Sequence, residues 1–162
     1  MPTQRLRKYL DDHMIKYTVI NHSLAYSALE VAQSAHISGK IIAKTIILKI
    51  DQQTAMVVLP APFKVNIDFF KDLSETNNVR LATEKEVQEI FPDCEIGAMP
   101  PFGNLYSIDV YVATQLTEDE EIAFNAGNHR QLIQMKYVDF ERLVHPVVFD
   151  LTSEPSEWKL RF

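Results

Sequence analysis

Two apolar, β-branched runs, Ile41 to Ile50 and Ala55 to Leu59, are parted only by the polar stretch Asp51-Gln-Gln-Thr54. Runs of this kind suit interior strands, and a polar turn of that length joins them as a hairpin. The rest of the chain must pack around it. At 162 residues the chain is the size of one domain, able to bury roughly two thirds of its unfolded surface without a covalent staple. None is on offer: Cys94 is the lone cysteine, and His13, His22, His36, His129 and His145 never join it at a metal-ligand spacing. No metal and no cofactor are expected.

Before the hairpin, Thr3 caps a helix running to about Met14, with Leu6, Leu10 and Met14 on one side and basic residues on the other. Tyr17 to Ile20 reads as a short strand, and the capping box Ser27-Ala-Leu-Glu30 opens a helix through about Ala35 that Gly39 stops. After it, Asn66 to Leu73 reads as helical and Val79 to Ala82 as extended. A second capping box, Thr83-Glu-Lys-Glu86, starts a helix ending before Pro92. Tyr106 to Val112 is a predicted strand. Glu121 to Asn125 and Leu132 to Met135 are strands around the turn Ala126-Gly127-Asn128, and Val138 to Leu143 is a short helix.

Closely spaced strands broken by short helices argue against an alternating parallel sheet. They predict an α+β fold: a mixed, mostly antiparallel, barrel-like sheet flanked by short helices. With no repeat, low-complexity segment or linker, residues 1–162 form a single domain, 145–162 being a C-terminal extension whose Trp158, Leu160 and Phe162 are read as covering a sheet edge.

Charge is uneven. Residues 1–50 carry seven basic and three acidic side chains, net +4, and the remainder nine against nineteen, net −10. That balance is wrong for a non-specific nucleic-acid coat, but a local basic face around Arg5, Arg7, Lys8 and Lys40 can still steer one phosphate-bearing ligand. The charged N-terminus lacks an apolar signal core, and the most apolar run holds Lys44 and Lys49. No export signal or membrane span is expected, and the reducing cytoplasm is the default compartment.

Lys44 is out of place in Ile41-Ile-Ala-Lys-Thr-Ile-Ile-Leu48, because a buried lone ammonium is costly. Either its charged end emerges into a cleft and meets an anion, or the strand is an edge and the lysine reaches water. The segment Gly97 to Gly103 combines prolines, which lock the backbone, with glycines, which allow close approach to it. Such a loop either presents N–H groups to a carbonyl oxygen or simply covers a sheet edge. His129 follows a hairpin turn and faces a pocket or solvent. Cys94 lies in no known nucleophile signature and reads as a small, partly buried apolar side chain. There is no GxGxxG, Walker loop, HExxH or serine-nucleophile motif.

Three segments in this order add to that reading: Asn21-His-Ser-Leu-Ala-Tyr-Ser-Ala-Leu-Glu-Val-Ala32 leading to Ala43-Lys-Thr-Ile-Ile-Leu48, then Ile96-Gly-Ala-Met-Pro-Pro-Phe-Gly103, then Ile122-Ala-Phe-Asn-Ala-Gly-Asn-His129. Over roughly residues 15–144 the chain resembles the YbaK family, which includes the editing domain of bacterial prolyl-tRNA synthetases and free-standing relatives. The resemblance implies a barrel-like mixed sheet and hydrolysis of the ester joining a wrong amino acid to tRNA.

The same resemblance assigns residues. Lys44 stands at the family's signature lysine and serves the terminal adenosine and its phosphate. Gly97 to Pro101 match its GxxxP loop, so the backbone at Gly97, Ala98 and Met99 acts on the aminoacyl group. His22, Pro100, Pro101, Phe102, Gly127 and His129 line the substrate site. No side-chain base or nucleophile is implied. A positioned water, helped by the substrate's ribose hydroxyl, performs the attack. The segment Asn125 to His129 looks like free-standing alanyl-tRNA(Pro) deacylases, which makes alanine the expected amino acid, mischarged tRNA the partner and prolyl-tRNA synthetase a second one. The alternative is a non-catalytic module that binds the tRNA end or a synthetase, and a third reading is a hydrolase using Cys94.

Overall fold

The hairpin is the centre of the molecule. In the computed structural model, which describes residues 4–23 and 41–150, β2 (Ile42–Ile50) pairs antiparallel with β3 (Gln53–Pro60) over eight residue pairs, from Ala43–Pro60 to Ile50–Gln53. From Ala55 onward every residue of β3 is buried, the signature of a strand covered on both faces.

The remaining described strands are β1 (Tyr17–Asn21), β4 (Val79–Leu81), β5 (Asp109–Ala113), β6 (Glu121–Asn125), β7 (Gln131–Lys136) and β8 (Val147–Phe149). They form one eight-stranded sheet in the order β1-β7-β6-β2-β3-β5-β8, with β4 also on β2. Pairings β1–β7, β6–β7, β2–β3 and β2–β4 are antiparallel, and β2–β6, β3–β5 and β5–β8 parallel. The mixed, mostly antiparallel sheet with short helices is therefore as expected, and its strand path is open, ending at β1 and β8.

Strand alternation separates two cores. Met56 and Val58 point to one face, with Val110, Val112, Phe124 and Ile133, while Val57 and Leu59 point to the other, with Leu48. The first face is covered by α1 (Gln4–Asp12) through Leu6 and Leu10, α3 (Glu84–Ile90) through Val87, and α5 (Tyr137–Val144) through Phe140. The second is covered by α2 (Ile67–Ser74) through Phe69 and Phe70. A one-turn helix, α4 (Thr114–Thr117), follows β5. Among the described residues no helix is long and apolar enough to cross a membrane.

Local chemistry explains the helix ends. Asn66 caps α2 by accepting from the Phe69 amide at 3.2 Å. The predicted capping box of α3 is present in full, with Thr83 accepting from the Glu86 amide and Glu86 from the Thr83 amide. Two boundaries differ from expectation. Met14 does not continue the Leu6–Leu10 stripe: the helix ends at Asp12, Met14 sits at φ 54° and is exposed, and Ile15 takes the core position by donating to the Leu10 carbonyl. The strand predicted from Tyr106 begins at Asp109, because Gly103–Tyr106 is a 3-10 helix closed by the Ile108 amide donating to Gly103. Gly103 cannot carry a side chain, since a Cβ there would lie 2.7 Å from the Ile108 carbonyl oxygen. The predicted helix from Ser27 to Ala35, Thr3, Lys40 and the end of the tail with Trp158, Leu160 and Phe162 fall outside the described residues.

Candidate functional site

The lysine in the apolar strand sits at a fork. On the edge away from β3, β2 pairs with β6 only at Ile42 and Ala43, and with β4 only from Leu48 to Ile50. Lys44, Thr45 and Ile46 have no strand partner on that edge among the described residues. Lys44 lies one position beyond the Ala43–Phe124 pair, level with the point where β6 runs out through Asn125. Burial lowers the Lys44 pKa, and the nearby Lys64 lowers it further. Its charged end is thus half-buried beside another cation, with no ion pair among the described residues.

The loop from Cys94 and the turn after β6 are bound together at this fork. The Glu95 amide donates to the Gly127 carbonyl at 2.8 Å and the Gly127 amide donates to the Ala98 carbonyl at 2.9 Å. Within the loop, the Ala98 amide donates back to Glu95 at 3.0 Å. The amides of Gly97 and Met99 make no such bond among the described residues, and Pro100 and Pro101 have none to give. Of the three backbone positions expected to act on an ester, Ala98 has its N–H committed to the turn, and Gly97 and Met99 donate to none of the described residues.

His129 is buried against this loop. Its Nε2 lies 2.8 Å from the Ile96 carbonyl oxygen, which can only accept, so the Nε2 carries a proton. Glu95 lies on the same side, its Oε2 accepting from the His129 amide at 3.3 Å and standing 3.9 Å from Nε2. Gly97 has φ +85° and packs below the ring, its absent Cβ site 3.5 Å from His129 Cε1. Space alone would admit an alanine there, and the left-handed backbone is what demands glycine. Gly127 is likewise at φ 94°.

His22 joins the group through β1. Asn21 pairs with Gln131, and the His22 amide donates to the Arg130 carbonyl at 2.9 Å. Its Nδ1 lies 2.7 Å from the Ser23 carbonyl, which leaves Nε2 as the acceptor, buried and without a partner among the described residues. Thr45 Oγ1 and Asn125 Oδ1 are also buried without a partner among those residues. Unsatisfied buried polar atoms are rare in folded proteins, and three of them occur where β2, β6 and β1 approach the fork. Thr45 and Asn125 lie inside the motif segments without having been singled out, and Glu95 carried no recognisable signal in the sequence.

Other expected residues serve the core. Phe102 is fully buried between Phe124 and Phe140, with ring centroids at 5.6 and 5.5 Å, and Met99 is buried in the same core. Either can meet a ligand only through its backbone. Cys94 contacts Tyr106 and Asp93, not a histidine, and burial followed by the Asp93 charge pushes its pKa up to about 12, which suppresses the thiolate a nucleophile requires. Of the basic face on α1, Arg5 stacks on Tyr106 at 4.8 Å and Lys8 pairs with Asp12 at 2.8 Å. The hollow at the β2–β3 turn, about 490 Å³ and lined by Asp51, Thr54, Asp109 and Tyr111, lies at the opposite end of β2 from Lys44. Among the described residues no three His, Cys, Asp or Glu side chains gather to hold a metal.

Residues 22–143 match the aminoacyl-tRNA editing domain model. The chain belongs to the aminoacyl-tRNA editing domain family. That span runs from His22 past His129 and so contains every residue of the site. The fold is shared with solved structures. One is the hypothetical protein APE2540, 21% identical, with 93% of this chain and 100% of that one aligned at a TM-score of 0.81. Another is a proposed trans-editing enzyme for prolyl tRNA synthetase, 21% identical, covering 93% and 96% at a TM-score of 0.80. No curated protein matches the chain significantly.

Proposed function

We propose that this editing domain is a trans-acting aminoacyl-tRNA deacylase that hydrolyses mischarged tRNA, with alanyl-tRNA(Pro) as its substrate. The observation that carries the reading is the Glu95–Met99 turn, clamped to Gly127 and His129, with the Gly97 and Met99 amides uncommitted among the described residues. Water attacks the ester carbonyl, the Gly97 and Met99 amides stabilise the oxyanion, and the bond to the ribose oxygen breaks as that oxygen takes up a proton. The released products are alanine and intact tRNA. Amides held by a rigid turn need no reorganisation as charge develops, the main source of acceleration at such sites.

Lys44 takes the phosphate of the terminal adenosine, the anion that its half-buried position beside Lys64 lacks. His22 Nε2 accepts from the attacking water or the ribose 2′-hydroxyl. His129, fixed by Ile96 and Glu95, forms the wall that limits the amino-acid side chain. An apolar wall discriminates a methylene by about 1–3 kcal/mol, so glycine and serine esters are slower substrates and proline is spared. A structural relative proposed as a trans-editing enzyme for prolyl tRNA synthetase supports the same tRNA.

The test is deacylation of tRNA(Pro) charged separately with alanine, serine, cysteine and proline, by wild type and Lys44→Ala at modest salt. Alanine release that spares proline and disappears in the variant supports the assignment. If no ester is cleaved faster than in buffer, the domain is a binding module and the deacylase reading fails.

A further inference from the structure

A hollow of about 390 Å³ opens between Pro60, Pro62 and Phe63 on one side and Gln115, Glu118 and Asp119 on the other. Phe63 is a large apolar side chain left 37% exposed there. The hollow adjoins the lysine of the fork: Leu59 pairs with Lys44 and Pro60 with Ala43, and Pro60 accepts from the Phe63 amide at 3.0 Å. Lys64, next in the chain, is near enough to Lys44 to disfavour its charge. Along the sheet the order is therefore β6, with the Gly97–His129 loop beyond its end, then β2 with Lys44, then β3 leading to Phe63.

We propose that this hollow is a stacking subsite for the nucleobase preceding the terminal adenosine of the bound RNA end, its exocyclic amine donating to Glu118 or Asp119. The inference rests on the editing reading for the direction of the RNA. With the ester at Gly97 and the terminal phosphate on Lys44, the next nucleotide toward the 5′ side lies beyond Lys44, where Phe63 is. Single-stranded ends are held by stacking on aromatic rings together with cations along the backbone. Carboxylates select the amine of cytosine, the base at that position of every tRNA.

Charge decides the occupant. An apolar peptide side chain would fill the hollow but leave Lys44, Lys64, Glu118 and Asp119 unmatched, and a free phosphate would ignore the ring. A cytidine nucleotide meets all three parts at once. Burial, then the charge of Glu118, raises the Asp119 pKa, so a donor arriving at its carboxylate replaces hydration that burial has removed.

The experiment measures anisotropy of a labelled single-stranded RNA ending in CCA on the full chain, comparing wild type, Phe63→Ala, Phe63→Leu and Asp119→Asn. Removing the ring is expected to weaken binding roughly tenfold, in the leucine variant as well, which keeps the apolar volume and so the fold. An RNA ending in CUA, which lacks the amine, is expected to bind wild type several-fold more weakly. Affinity indifferent to both Phe63 variants, or to the C-to-U change in wild type, overturns the subsite. Deacylation by wild type is read in parallel. Turnover with Phe63-independent binding sinks the subsite alone, whereas Phe63-dependent binding without turnover sinks the deacylase alone.

Discussion

Replacing His129 with alanine tests how the site is built. The ring is 5% exposed, donates from Nε2 to the Ile96 carbonyl at 2.8 Å and packs 3.5 Å from the Gly97 Cβ position. Losing that hydrogen bond and stranding the Ile96 carbonyl costs about 1 kcal/mol, and the void left by the imidazole adds about 1–2 kcal/mol. Together these lower the melting temperature by about 5–10 °C for a chain of this size. The same change removes the wall beside Gly97, so selectivity moves: esters larger than alanine gain relative to alanine by roughly tenfold or more. Thermal unfolding by circular dichroism and deacylation of paired alanyl and seryl esters supply the two readouts. A His129→Gln variant, whose amide can still donate to Ile96, is expected to recover most of the stability. Wild-type melting in His129→Ala refutes the structural argument, and an equal loss on every ester refutes the role in selectivity.

Burial and Lys64 hold the Lys44 pKa below 10.5, so the folded chain releases that proton before the unfolded chain does. The resulting penalty is full at neutral pH and relieved as pH climbs from the folded value towards 10.5, so stability rises over that range. Lys44→Met is expected to abolish deacylation and to flatten this alkaline rise in urea-unfolding curves, and an unchanged rise would contradict the half-buried ammonium. For Glu86, the Arg80 guanidinium at 2.6 Å, then the Thr83 amide, holds the pKa at about 2 against an ordinary 4.5, so its contribution is present above pH 4.5 and lost as pH falls through about 2. Glu86→Gln should therefore reduce the acid sensitivity of unfolding between those values, and an identical acid profile would count against the capping box as a charged unit. Thr83→Ala should cost about 1 kcal/mol in chemical denaturation without altering KM. Cys94→Ala is expected to keep full deacylation, and the wild-type thiol to resist alkylation at neutral pH because its pKa is pushed up to about 12; loss of activity in that variant would revive a thiol mechanism.

Much of this was legible from residue order alone. The hairpin, the α3 capping box and the helix after Asn66 are local: they depend on alternation and on side chains reaching backbone amides three residues away. Met14 was misplaced because fourfold spacing cannot show that the helix has already ended in a left-handed turn. The oddity of Lys44 was visible, but not the gap in strand pairing beside it. That depended on β4 and β6 leaving β2 at different points, a fact about pairing between distant segments.

The sequence by itself determined the sheet-centred α+β core and the family, since apolar periodicity and ordered motifs survive without coordinates. Only the tertiary structure decided which backbone amides remain uncommitted, that Phe102 belongs to the core, and that Glu95 fastens the loop to His129. Those outcomes depend on hydrogen bonds and ring packing between residues far apart in the chain. A chain's local preferences do not encode such bonds until folding brings the partners together.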